Sequence, residues 1–226
     1  KVSEILKNTT FEFISEIEES FKSTEKVKPK NTSEIDEKLA AIENELRQII
    51  DLESKSKINI YAGTNENADL SNFATRPFTF KGYQFNSVEA AFQAMKIEES
   101  VPIDIDNSEI MDKLTSKNVT GAQAKSLGRQ IKGLDVRDWD RKSSSIMEQL
   151  LLASFEQNPK ALERLLSTGN AELTHTQDKG KWGREFPKLL MEVRDELRQS
   201  KSEVKKVEVQ NQNSNSRVSL LSMNYP

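Results

Sequence analysis

The sequence predicts an α+β protein: a mainly helical domain around a small β-sheet, with an N-terminal helical extension. Three observations predict it. Apolar residues recur at helical spacing over most of the chain. The period drops to two only in short runs, "KINIYAG", "FTFKGYQF" and "AELTH". Composition turns polar and Asn/Ser-rich from residue 201 onward. These divide the chain into a helical extension (1–57), a globular domain (58–200) and a polar flexible tail or partner-binding strap (201–226).

The extension opens with helical spacing over residues 1–28, carried by Ile5, Leu6, Phe13, Ile14, Ile17 and Phe21. "KVKPKNTS" breaks it, and a second helix starts near "TSEID". Its apolar residues Ile35, Leu39, Ile42, Leu46 and Ile49 step by 4, 3, 4 and 3, a heptad seam of about two heptads. So short a coiled-coil seam predicts a helical hairpin or a small oligomeric coil, a docking or self-association element. "KINIYAG" then reads as a strand. "FTF-KG-YQF" reads as a β-hairpin turning at Lys81-Gly82. A helix follows over residues 87–98, then a loop, "VPIDIDNSE", then helices over 109–117 and 120–131, with Gly133 closing the second. Trp139 opens a long helix to about residue 157, with Asp138 read as its N-cap. A short helix has Pro159 at its start and Gly169 past its end. "AELTH" is a strand, and "FPKLLMEVRDELRQ" is a closing helix with Pro187 in its first turn.

Composition excludes several classes of function. With 35% hydrophobic and 31% charged residues, the chain has no apolar run near the roughly 20 residues that cross a bilayer, so no membrane association is expected. No segment has the layout of a secretion signal, and the chain opens on Lys1 rather than Met, as a processed product or a fragment would. It has no cysteine, which removes disulfides, thiolate nucleophiles and zinc–cysteine sites and fits a reducing, cytoplasmic setting. A single histidine, His175, leaves little for a multi-histidine metal site, and no metal or redox cofactor is implied. Basic and acidic residues number 10 and 13 in residues 1–57, 19 and 21 in 58–200, and 4 and 2 in 201–226. No part has the basic excess of a sequence-independent nucleic-acid binder, so any nucleic acid would be handled through a pocket.

On the helix of residues 87–98, Val88, Ala91, Phe92 and Met95 form the buried stripe. Glu89, Gln93 and Lys96 repeat that spacing on a neighbouring stripe, where their head groups can converge on one ligand. Spacing alone equally fits a solvated face, with Glu89 favouring the helix N-terminus three residues after Asn86. Arg129 near a helix end, Trp139 as a core residue and the "KWG" of Lys181 to Gly183 each have an ordinary structural reading too.

The ordered set changes that balance. "SNF", "PFTFKGYQFNSVEAAFQAMK", "GRQIKGLDVRDWD", "SIMEQLLLASFEQNPKALERLLSTGNAEL" and "KWG" together resemble the NADAR family, associated with NAD and ADP-ribose metabolism. The resemblance covers roughly residues 58–199. It implies a mainly helical fold around a small sheet and cleavage of N-glycosidic bonds. Substrates in the family are phosphorylated riboflavin-pathway intermediates or ADP-ribosylated guanine, the latter removed by antitoxins and phage counter-defence proteins. Of these, removal of ADP-ribose from guanine in nucleic acid is the favoured expectation. The N-terminal extension and tail also suit a phage or assembly protein, placed in an infected host cell or on a virion. Hydrolysis of a phosphorylated pyrimidine riboside is the alternative; a non-catalytic ADP-ribose-binding module is a third.

Breaking a ribose–nitrogen bond builds positive charge at the anomeric carbon, so a nearby carboxylate stabilises the transition state or activates water. Glu89 matches the acid of the family's SVE motif and takes that role by resemblance. Lys96 matches the FQA-K lysine; it would hold a phosphate, protonate the leaving base or form an iminium with an opened ribose. The resemblance gives Asn72 and Gln93 hydrogen bonds to ribose or base, and gives Phe73 and Trp139 stacking on a base. Arg129 would pair with a diphosphate, and Asp138 would hold a ribose hydroxyl or orient Lys96. Trp182 and Gly183 come from the terminal WG. Three positions depart from the family pattern. Ala90 stands for the histidine of SVEH, Ser154 for a common lysine, and His175 for an acid, where it is a candidate for base recognition.

Overall fold

The computed structural model describes residues 32–54, 56–60 and 67–222. The chain divides into two units, residues Lys1–Asp51 and Leu52–Pro226. In the first, helix α1 (Thr32–Ser54) carries the heptad seam, with Ile35, Leu39 and Leu46 exposed and Ile42 and Ile49 half-buried. The helix expected over residues 1–28 lies outside the described residues.

In the second unit the elements run β1 (Lys57–Asn59), a 3-10 turn (Ala68–Leu70), β2 (Phe78–Phe80), β3 (Tyr83–Phe85), α2 (Val88–Ser100), α3 (Ser108–Leu114), α4 (Gly121–Gly128), α5 (Val136–Glu156), α6 (Pro159–Leu166), β4 (Glu172–Thr174) and α7 (Lys181–Ser222). The fold is α+β as expected, but the sheet is two separate pairs. β1 pairs in parallel with β4, Ile58 opposite Leu173, and β2 pairs antiparallel with β3, Phe78 opposite Phe85. The hairpin turns where expected: Lys81 and Gly82 both have positive φ, 47° and 83°, the requirement of a type I′ turn.

α2 is buried almost all round. Val88, Ala90, Ala91, Ala94 and Met95 have no exposed surface, and Ala90, the departure from the SVEH pattern, lies in this core. Three alanines let α2 pack against α4 and α5. α5 packs in turn on α7, which covers β4. Among the described residues no helix is long and apolar enough to cross a membrane.

The helix starts are set by local capping, which corrects the N-cap role expected of Asp138. The N-cap of α2 is Ser87, whose Oγ accepts from Ala90 N at 3.2 Å, while Asn86 donates to Val119 O. α5 starts at Val136 and is capped by Asp135, which accepts from Asp138 N at 3.0 Å, so Asp138 lies inside the first turn. α7 starts at Lys181, a turn and a half before Pro187. Pro187 therefore lies past the first turn, inside the helix, and cannot donate to the carbonyl of Gly183 four residues back. The backbone of residues 201–222 continues α7, a stretch that contains no proline or glycine.

Arg76 ties the "SNF" loop to the core. Its guanidinium is buried, donates to Ser154 Oγ at 3.1 Å and to the carbonyls of Asp69 and Ser71, and lies 4.4 Å over the Phe155 ring. Burial lowers its pKa to about 10. Ser154, fully buried on α5, thus accepts from a buried cation. Arg76→Met is expected to destabilise the fold by about 2–4 kcal/mol, because two carbonyls and a hydroxyl lose their donor inside the protein. The midpoint of urea unfolding measures it.

Candidate active site

The site grows from the first turn of α2. Its second residue, Glu89, is 4% exposed, which rules out the solvated face. Asn72 of the "SNF" loop grips it twice. The Asn72 carbonyl accepts from Glu89 N at 2.8 Å, one of the amides left open at a helix start. Asn72 Nδ2 donates to Glu89 Oε2 at 2.6 Å. Gln93, one turn on and 5% exposed, donates from Nε2 to Glu89 Oε1 at 2.8 Å. Both carboxylate oxygens are thus fixed. Burial pushes the Glu89 pKa up, and the hydrogen bond from Gln93, the charges of Lys125 and Lys96 and the hydrogen bond from Asn72 oppose it.

Glycines of α4 shape the opposite wall. A Cβ on Gly128 would stand 1.8 Å from Gln93 Oε1, and one on Gly121 would stand 2.6 Å from Phe73 Cα. Only glycine lets α4 approach this closely. A third close approach holds the far rim. A Cβ on Gly183 would stand 1.7 Å from the carbonyl of Asp178, so the start of α7 abuts the loop after β4. That loop is anchored to β1: Asn59 Oδ1 accepts from Thr176 N at 3.1 Å, and its Nδ2 donates to Gln177 Oε1 at 3.1 Å.

These walls enclose a cavity of about 790 Å³. Of the residues predicted from sequence, Asn72, Phe73, Glu89, Gln93, Lys96, Arg129, Trp139, His175 and Trp182 line it together. Trp139 is 6% exposed, and its ring meets Phe92 edge-on at 4.9 Å. Phe92 meets Trp182 likewise at 5.1 Å. Lys96 Nζ lies 5.9 Å from the Trp139 ring and 6.0 Å from the Phe92 ring. Trp139 therefore supports the amine; Phe73 and Trp182, half-buried, also line the cavity, with Lys125 Nζ 5.6 Å over the first ring and Lys181 Nζ, which is not part of the lining, 5.3 Å over the second. Burial lowers the pKa of Lys96; Glu89 opposes that shift and Lys125 adds to it. Burial also lowers that of His175, whose ring stands edge-on to Phe186 at 6.1 Å.

Two predicted residues lie outside the cavity. Asp138 does not orient Lys96: its carboxylate accepts from Ser100 Oγ at 2.8 Å and pairs with Lys142 at 2.7 Å and Arg141 at 3.1 Å. Those partners hold its pKa near 2. It turns away because α5 begins three residues before Trp139. Gly183 acts through its close approach to Asp178 and not by lining the cavity. Sequence reasoning missed Lys125, Gln177, Asp178 and Lys179, which also line it. Lys125 was findable: Gly121, Lys125 and Gly128 fall at i, i+4 and i+7, one face of a helix.

Comparison with known proteins gives three findings. The model of the NADAR domain matches residues 60–198. Over 149 residues the chain is 28% identical to the protein named N-glycosidase YbiA of Escherichia coli strain K12, covering 62% of this chain and 88% of that protein. The N-glycosidase YbiA of Shigella flexneri gives the same identity and coverage. The NMR structure of the E. coli protein YbiA superimposes with a TM-score of 0.54 at 27% identity, over 66% of this chain and 88% of that one.

Proposed function

Because this chain belongs to the NADAR domain family, we propose that it is an N-glycosidase, a hydrolase that cuts the bond between a phosphorylated ribose and a base, with ADP-ribosylated guanine in nucleic acid as its substrate. The observation that carries the reading is Glu89: a buried carboxylate, both oxygens fixed by Asn72 and Gln93, at the wall of a cavity lined by cations.

In the reaction the C1′–N bond breaks, the electron pair leaves with the base, and water supplies hydroxide to C1′. The charge that builds on the sugar is met by the Glu89 carboxylate, which also takes the proton of the attacking water. Asn72 and Gln93 hold that carboxylate in one orientation, so it does not reorganise as charge develops. Lys96, an ammonium made more acidic by burial, donates the proton that the leaving nitrogen needs. Trp182 stacks on the base, a contact worth about 1–3 kcal/mol. A cavity of about 790 Å³ stands in the upper part of the range for small-molecule sites and favours a ligand larger than a pyrimidine riboside monophosphate.

The test is incubation with an oligonucleotide carrying ADP-ribosylated guanine and, separately, a phosphorylated aminopyrimidine riboside, with products followed by mass spectrometry. ADP-ribose released from the first is the expected result. Turnover of the riboside alone moves the substrate to small metabolites and keeps the reaction class. Release from neither overturns the proposal.

A further inference from the structure

Lys125 is placed by packing. The capping box of Thr120 and Gln123 fixes the start of α4, and Gly121 seats that first turn on the Phe73 backbone. One turn on, on the same face, Lys125 Nζ stands 5.6 Å over the Phe73 ring. Its charge reaches Glu89, Lys96 and His175, so it lies among the groups of the site. Arg129 follows at i+4, the spacing that brings side-chain heads on a helix together, and also lines the cavity. Neither the Lys125 nor the Arg129 side chain has an ion pair or hydrogen bond among the described residues. Four cations line the cavity against two carboxylates, on a chain whose net charge is −3, and one of those carboxylates is already held by Asn72 and Gln93.

We propose that Lys125 is a specificity-determining residue: with Arg129 it forms a two-cation fork on α4 that takes the phosphoryl groups of the substrate. The inference rests on the function proposed above and names the part of that site that reads the phosphate. Arg129 supplies planar, bidentate hydrogen bonding, and Lys125 supplies a point charge held over Phe73. Phosphate charge so placed offsets the repulsion among the cavity's own cations, whereas a neutral riboside leaves it in place.

Calorimetric titration of the full chain with inorganic pyrophosphate tests the fork without any turnover. The parent is expected to bind, Lys125→Met to bind about 10- to 100-fold more weakly, and Lys125→Arg to stay within a few-fold of the parent. Lys117→Met, which removes an exposed cation away from the cavity, is expected to bind as the parent does. Equal affinity in the parent and Lys125→Met, an equal loss in Lys117→Met, or no binding by the parent overturns the proposal. A second readout is the KM for a phosphorylated riboside against its phosphatase-treated counterpart. Lys125→Met should raise the first and leave the second; a fall in kcat on both instead assigns Lys125 to the reacting groups and overturns the fork. Absence of turnover on every substrate, with pyrophosphate binding intact, sinks the enzymatic reading alone.

Discussion

Glu89→Gln lowers turnover by about 10³-fold and leaves the fold as stable as the parent, or more so. The loss is expected because, in the proposed reaction, the Glu89 carboxylate meets the cation that develops at C1′. The stability follows from the sign of the pKa shift. Burial raises the Glu89 pKa above its ordinary value of 4.5. The unfolded chain then ionises first as pH rises, so stability is lost between the ordinary value and the raised one, and a neutral amide does not lose it. The hydrogen bonds survive as well. Asn72 keeps an oxygen to donate to, and Gln93 can turn its amide so that Oε1, unpartnered among the described residues, accepts from the new amide. The same shifts set the pH profile. Turnover falls on the acid side as Glu89 protonates above its ordinary range, and on the basic side as Lys96 deprotonates below its ordinary 10.5. The parent's bell is therefore narrower than the span of the two ordinary values. kcat/KM against pH and the thermal midpoint of both proteins check these outcomes; a stable but fully active Glu89→Gln removes Glu89 from the chemistry.

The sequence made α2 legible because its two stripes lie within one helix, where spacing alone sets geometry. Val88, Ala91, Phe92 and Met95 are buried as the stripe predicts. What spacing could not decide was whether Glu89 and Gln93 met water. Their burial comes from "SNF" and α4, distant in sequence, and from glycines whose effect is to leave room. A missing Cβ carries no periodic signal, so Gly121 and Gly128 read as composition until the chain is folded. Arg76 was hidden for a related reason. It sits in a loop with no period, and its partners are backbone carbonyls and Ser154, 78 residues away. Asp138 misled because the DW pair was read as a helix start. Asp135 caps α5 instead, which turns Asp138 toward Ser100, Arg141 and Lys142 and leaves Trp139 facing the cavity. The ordered motifs thus gave most of the residues around the cavity, and packing decided which of them touch one another.

Gly128→Ala is the second large effect, and it acts through a side chain it does not resemble. The new methyl would stand 1.8 Å from Gln93 Oε1, far inside contact distance. Backbone of α4 is pinned by its capping box, so the Gln93 amide is the part that moves. Once displaced, it no longer donates to Glu89 Oε1, the strongest of the contacts that favour the ionised carboxylate. Turnover should fall about 10- to 100-fold, the value of one hydrogen bond to a charged group, and the acid limb of the pH profile should move upward as Glu89 becomes harder to ionise. A general loss of structure could mimic the drop in rate but not the direction of the limb. The double variant separates the two. Gln93→Ala removes the amide and clears the space beside Gly128, so Gly128→Ala added to it should cost almost nothing further, although each change alone is harmful. Additive losses in that cycle would mean that the methyl disturbs α4 itself, and that the small residue of the "GR" pair serves packing rather than the grip on Glu89.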